Sequence, residues 1–252
     1  MQVYYWFGIY AWSKVLRQVV QYFTEDFPKV EDVPVPAEKD NHLLIETSIS
    51  LISSGTERML VDFANSNLIE KALKQPERVK QVINKAKTDG LISTYESVIN
   101  KLDDPLPLGY SNVGKVISVG CNVSGFEVGD RVASNGFHSD IVSRPANLCA
   151  LIPDDLSDED AVFTVPSAIA LQGIRLANPT LGEVFLVSGL GLIGLLTAQL
   201  LIANGVKVLG VDPDPSKCEL AESIGISTLS LSPDSDPVAW CLARTDGIGI
   251  DG

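Results

Sequence analysis

The stretch "VSGLGLIGLLTAQLL", residues 187–201, sets glycines at 189, 191 and 194 between an apolar run and a helical one. Its neighbours give those glycines a meaning. "EVFLVS" (183–188) reads as a strand that Gly189 ends in a tight turn. Gly191 leaves bare backbone where a diphosphate would have to approach, and Gly194 lets the following helix pack closely on the strand. The first helical N–H groups, with Leu192 and Ile193 beside Gly194, then offer unpaired donors and a partial positive charge to an anion. A second strand, "VKVLGV", runs to Asp212, 23 residues after Gly189. A carboxylate at that place accepts ribose hydroxyls and repels a 2′-phosphate, so the unit predicts a dinucleotide site that favours NAD over NADP.

The same alternation continues outward. Strand (183–188), helix (192–204), strand (206–211), helix (215–224), strand (226–231) and helix (236–243) follow in order, and "GIGIDG" (247–252) reads as the entry to another strand. Such alternation implies a parallel sheet. Upstream, Ser157 followed by Asp158, Glu159 and Asp160 forms an N-cap with an acidic first turn, opening a helix that extends to Ala177. Before about residue 155 the character differs. Apolar stretches at 17–23, 42–52, 112–120, 130–134 and 147–152, punctuated by Gly, Pro and Asn, predict a compact β-rich domain.

Residues 57–103 interrupt that domain with three expected helices. Their apolar stripes are Leu60/Ala64/Leu68, Val79/Val82/Ile83/Ala86 and Leu91/Tyr95/Val98/Ile99/Leu102. Lys71, Lys74, Arg78, Lys80, Lys85 and Lys87 concentrate positive charge there. A solvated helix face explains this most simply, and attraction of an anionic substrate such as a nucleotide sugar is the sharper alternative.

The 252 residues carry a net charge of −13, which argues against nucleic acid as a partner. The four cysteines form neither CxxC pairs nor a His/Cys cluster, so a reducing cytoplasmic compartment is expected and a disulfide framework is not. "MQVYYWFGIYAW" (1–12) is uncharged and aromatic, but too short to span a bilayer, and it lacks a basic start. Residues 1–15 are read as an extension outside the fold, without a membrane role.

The glycine unit, together with "PLGYSNVGKVISVGCNVSGFEVGDRVAS" (107–134) and "LISSGTERML" (51–60), resembles the medium-chain dehydrogenase/reductase superfamily. Within that superfamily the pattern is similar to a bacterial bi-domain oxidoreductase subgroup. The resemblance covers roughly 17–252 and implies an α/β chain: a GroES-like β-rich domain over 16–154, then a partial doubly wound Rossmann domain over 155–252. The domain would be incomplete at its C-terminus, since only the adenosine-binding half of such a sheet is present.

The implied function is NAD(P)-dependent hydride transfer between nicotinamide and a carbonyl or alcohol of a small-molecule substrate. A truncated nucleotide-binding fragment without catalysis is the alternative, and a homo-oligomer is allowed. Zinc-dependent relatives would place metal ligands at Ser54, Tyr110 and near Val165; hydroxyl, phenol and valine make no zinc site, so zinc is not expected. The resemblance puts a proton-passing hydroxyl at Thr56 and a ribose-contacting lysine at Lys217. For these, a backbone-satisfying hydroxyl and a solvated helix residue are the plainer alternatives. Tyr110 is a candidate hydrogen-bond donor to a carbonyl, or a phenol packed in the core. His42 and His138 match no motif and read as structural.

Overall fold

The computed structural model describes residues 15–22, 25–65 and 105–252. The expected extension (bar Val15), the second and third helices of the insertion, and its six cations lie outside those residues. The chain forms two compact units, one up to Val162 and one from Phe163 to Gly252.

Among the described residues the first unit holds two antiparallel sheets. One has the order β2-β1-β4, with β1 Val15–Gln21, β2 Lys29–Pro34 and β4 Leu106–Pro107. The other has the order β7-β3-β5-β6-β8, with β3 His42–Ser50, β5 Asn112–Val119, β6 Arg131–Ser134, β7 Ile141–Pro145 and β8 Cys149–Leu151. Leu43, Ile45, Val116, Val132 and Val142 send their side chains into one buried cluster, as the alternation of a half-buried sheet requires. Helix α1, Ser54–Asn65, leaves directly from the end of β3, and α2, Asp158–Ala161, closes the unit. Asp158 fastens that closure: Ser48 Oγ donates to it at 2.7 Å, and Arg131 Nε and Nη2 donate at 3.0 and 2.6 Å.

The second unit is a parallel sheet in the order β11-β10-β9, with β9 Val184–Ser188, β10 Lys207–Asp212 and β11 Ser227–Ser230. Helices α3 Thr164–Ala177, α4 Leu192–Ala203, α5 Pro215–Ser223 and α6 Pro237–Arg244 accompany it. Ile174, Val187, Leu190, Ala198, Leu201, Val208, Ala221 and Ile226 form its core. An antiparallel β-rich unit followed by a parallel β-α-β unit is the fold class the sequence predicted.

Several local readings need correction. No strand was expected at β2, β4 or β7, and the single helix expected from 158 to 177 is two. Val162 and Phe163 join those two helices, and Pro166 lies in the first turn of α3, where its missing N–H costs nothing. Ser157 does cap α2, accepting from the Asp160 N–H. At the far end, "GIGIDG" forms no assigned strand. Yet Asp251 N–H donates to Val184 O at 2.8 Å and Gly252 O accepts from Leu186 N–H at 2.9 Å, so these residues lie along the free edge of β9.

Candidate functional site

The turn between β9 and α4 is built from its glycines. Gly189 takes φ +94°, in the left-handed region that disfavours a side chain. At Gly194 a Cβ would fall 1.8 Å from the Gly189 carbonyl oxygen, so only glycine lets the helix begin this close to the turn. Gly191 differs from both. Its φ is −77°, and a Cβ there would meet no atom within 4 Å. The space above Gly191 is therefore empty although nothing in the backbone demands glycine. Gly191 is the N-cap of α4 and no side chain caps the helix, which leaves the first-turn donors of Leu192 and Ile193 for an anion.

Asp212 ends β10 beside that turn and is 3% exposed. Its Oδ2 accepts from the Leu190 N–H and its Oδ1 from the Asp214 N–H, both at 2.8 Å. Lys217, in the first turn of α5, holds Nζ 3.6 Å from Asp212 Oδ1 and 4.0 Å from Asp214 Oδ2. Burial is the largest single influence on the Asp212 carboxyl and pushes its pKa up. The two backbone N–H groups and the Lys217 ammonium together outweigh it, and the pKa lies below the ordinary carboxylate value. Each oxygen keeps lone-pair capacity for a sugar hydroxyl. Gly189, Gly191, Leu192, Ile193, Gly194, Asp212 and Lys217 thus converge on one edge of the parallel sheet. An open cradle of donors beside a held carboxylate fits the diphosphate and ribose of a dinucleotide.

In the first unit, Thr56 lies in the opening turn of α1 and is exposed. Its Oγ1 accepts from Ser53 Oγ at 3.4 Å. Tyr110 is half-buried in the loop after Gly109. Ser54 is exposed and Val165 half-buried in α3. Among the described residues no group of three His, Cys, Asp or Glu side chains is placed to hold a metal ion.

Sequence reasoning left one cluster unread. His138 Nε2 lies 3.0 Å from Glu57 Oε2, and His138 Nδ1 lies 2.8 Å from Ser50 Oγ. Glu57 Oε1 accepts from the Ser53 N–H at 2.8 Å. The His42 ring, by contrast, meets a main-chain group, the Asp40 carbonyl, at 2.8 Å. The pairing joins residues 81 apart in sequence, and only the matching of a histidine with a carboxylate at the head of a helix hinted at it.

No family model matches the chain. It is 30% identical over 175 residues to the (R,R)-butanediol dehydrogenase of Bacillus subtilis, covering 58% of this chain and 50% of that protein. The crystal structure of the 2R,3R-butanediol dehydrogenase of that species matches with a TM-score of 0.68 at 21% identity, over 92% of this chain and 67% of that one. It is 35% identical over 122 residues to the D-guloside 3-dehydrogenase of Escherichia coli, covering 47% of this chain and 35% of that protein. An alcohol dehydrogenase structure from Escherichia coli CFT073, complexed with NADH, matches with a TM-score of 0.68 at 18% identity, over 93% and 67%. In sequence over about half its length, and in fold, the chain is similar to the medium-chain, zinc-type alcohol dehydrogenase-like superfamily. It spans about half the length, or less, of these two curated relatives.

Proposed function

We propose that this protein is an NAD(P)-dependent oxidoreductase that prefers NAD, acts on a carbonyl or alcohol, and uses no catalytic zinc. The observation that carries the reading is the empty space over Gly191, bordered by uncapped helix donors and by Asp212. The cofactor, when bound, supplies the hydride chemistry. The protein's residues hold it and position the substrate. Leu192 and Ile193 N–H groups grip the diphosphate, Asp212 accepts the ribose hydroxyls, and Lys217 contacts the same sugar. A 2′-phosphate would meet the Asp212 carboxylate, which favours NAD. Without a Lewis acid, hydrogen-bond donors must stabilise charge on the substrate oxygen, and Thr56 and Tyr110 take that role. The substituents at Ser54, Tyr110 and Val165 do not fit zinc, because the ion requires thiolate, imidazole or carboxylate.

The substrate class we favour is a small polyhydroxylated molecule bearing negative charge. The six cations between Lys71 and Lys87 and the sugar- and diol-dehydrogenase relatives support it. The four unpaired thiols support a cytoplasmic site of action. Titration of the full chain with NADH and NADPH, read by nucleotide fluorescence, tests the proposal. NADH should bind at least about tenfold more tightly, equivalent to about 1.4 kcal/mol. Binding of neither nucleotide refutes the oxidoreductase reading, and equal binding refutes the preference. Equal affinity for NAD and AMP would instead favour a nucleotide-binding protein without catalysis.

A further inference from the structure

We infer that His138 is a positioning residue for the reaction proposed above, holding the Thr56 turn and the Tyr110 loop in a fixed arrangement through Glu57. The inference rests on that functional reading for its catalytic consequence, but its structural half stands separately.

The argument begins with burial. The His138 and Glu57 side chains are 9% and 10% exposed, and each has both polar ends engaged. A carboxylate accepts only, so Nε2 carries the hydrogen that meets Glu57 Oε2. Nδ1 is then free to accept from the Ser50 hydroxyl. The other carboxylate oxygen takes the Ser53 N–H, while Glu57 N–H donates to Ser53 O at 2.9 Å. Glu57 therefore closes the first turn of α1 around Thr56, and the Ser53 hydroxyl reaches Thr56 Oγ1.

The backbone of His138 acts on the other segment. Its N–H donates to Leu108 O and its carbonyl accepts from Val19 N–H, both at 2.8 Å. Gly109, at φ +91°, lies so close that a Cβ there would fall 2.6 Å from His138 N and 2.8 Å from the ring. Tyr110 follows immediately. One residue thus joins the two segments that carry the proposed donors to the substrate oxygen, with its imidazole bonded to Glu57 and its main chain bonded to Leu108 beside Gly109. Apolar side chains of similar volume would stabilise a core at least as well as a buried polar pair. Attachment of this pair to both segments gives it a use beyond cohesion.

Full-length His138→Ala, His138→Gln and Glu57→Gln variants test the inference, with NADH-dependent reduction of butane-2,3-dione as the probe reaction. Misplacing reacting groups by a fraction of an ångström should lower kcat of His138→Ala by about 10- to 100-fold. The Michaelis constant and NADH affinity should stay within about twofold, because the interactions lost act in the transition state. Glutamine at 138 retains a donor toward Glu57 and should recover most of the loss. Hydrogen exchange at the Ser53 amide should accelerate at least about tenfold in His138→Ala, since its acceptor is no longer held. Unchanged exchange overturns the inference whatever the turnover. Faster exchange with unchanged kcat in an active protein reduces His138 to a structural role and also overturns it. If the wild type turns over no probe yet exchange accelerates, the functional reading fails while the positional lock stands. Should His138→Ala fail to fold, Glu57→Gln, which keeps only one of the two acceptors, carries the expected loss of kcat and faster Ser53 exchange, with His138→Gln as the near-wild-type reference.

Discussion

Replacing Gly191 with valine separates nucleotide binding from folding more cleanly than any other change in the glycine turn. The backbone at 191 has φ −77° and ψ −168°, an extended conformation open to valine. A Cβ there meets no atom within 4 Å, so the unliganded fold loses only the modest preference for glycine over valine at an N-cap, less than about 1 kcal/mol. The added methyls fill the space that a diphosphate would occupy above the first turn of α4. Two charge-assisted hydrogen bonds from the Leu192 and Ile193 N–H groups, at about 1.5 kcal/mol each, would then be lost. Together they amount to about 3 kcal/mol, or about a 100-fold weaker Kd for NADH. Calorimetric titration with NADH, paired with a thermal melt, reads both halves of this expectation, and adenosine, which has no phosphate, should lose nothing. Gly194→Ala is the contrasting control, because its Cβ would fall 1.8 Å from the Gly189 oxygen and must deform the turn itself. An unaltered NADH affinity in a folded Gly191→Val protein refutes the phosphate assignment.

Asp212→Asn should destabilise the protein at neutral pH by about 1–3 kcal/mol, since one of the two backbone donors it serves is left unpaired. Because the folded pKa of Asp212 is depressed, its contribution is fully present above the ordinary carboxylate pKa and fades as pH falls through the depressed value. Denaturant melts of wild type and variant should therefore differ by a constant amount at neutral pH and converge in acid; a difference that grows in acid contradicts the assignment. Burial pushes the Cys149 thiol up to about 11 against a partial opposing pull from Arg144. At pH 8 a thiol reagent should modify exposed Cys121 well before Cys149, as peptide mapping by mass spectrometry would show, and preferential modification of Cys149 would contradict its burial.

The strand–turn–helix–strand unit was legible because its signals are local. Alternating apolar residues, glycines at fixed offsets and a carboxylate at the end of the next strand all lie within 26 consecutive residues, Val187 to Asp212. Strand β2 was not legible for the opposite reason. "KVEDVP" leaves Val30 65% exposed and carries two acidic residues and a proline, a composition suited to a sheet edge and nearly indistinguishable from a loop. Strand β7 is short and ends in Pro145, and its pairing with β3 reaches back about 100 residues. The break between α2 and α3 turns on main-chain geometry at Val162 and Phe163 that apolar periodicity does not encode. The His138–Glu57 contact depends on β3, α1 and the loop at 108–110 meeting in space. No window along the chain contains it.

Asp212 serves two masters. The carboxylate that would read the sugar is also the clasp that ties the glycine turn to the end of β10, through Leu190 on one side and Asp214 on the other. On the proposed reading, cofactor preference and loop rigidity are therefore welded to one side chain. An engineer who swaps that residue to admit a phosphorylated ribose would slacken the very cradle meant to receive it. A successful switch would have to supply a new clasp for the Leu190 and Asp214 amides at the same time.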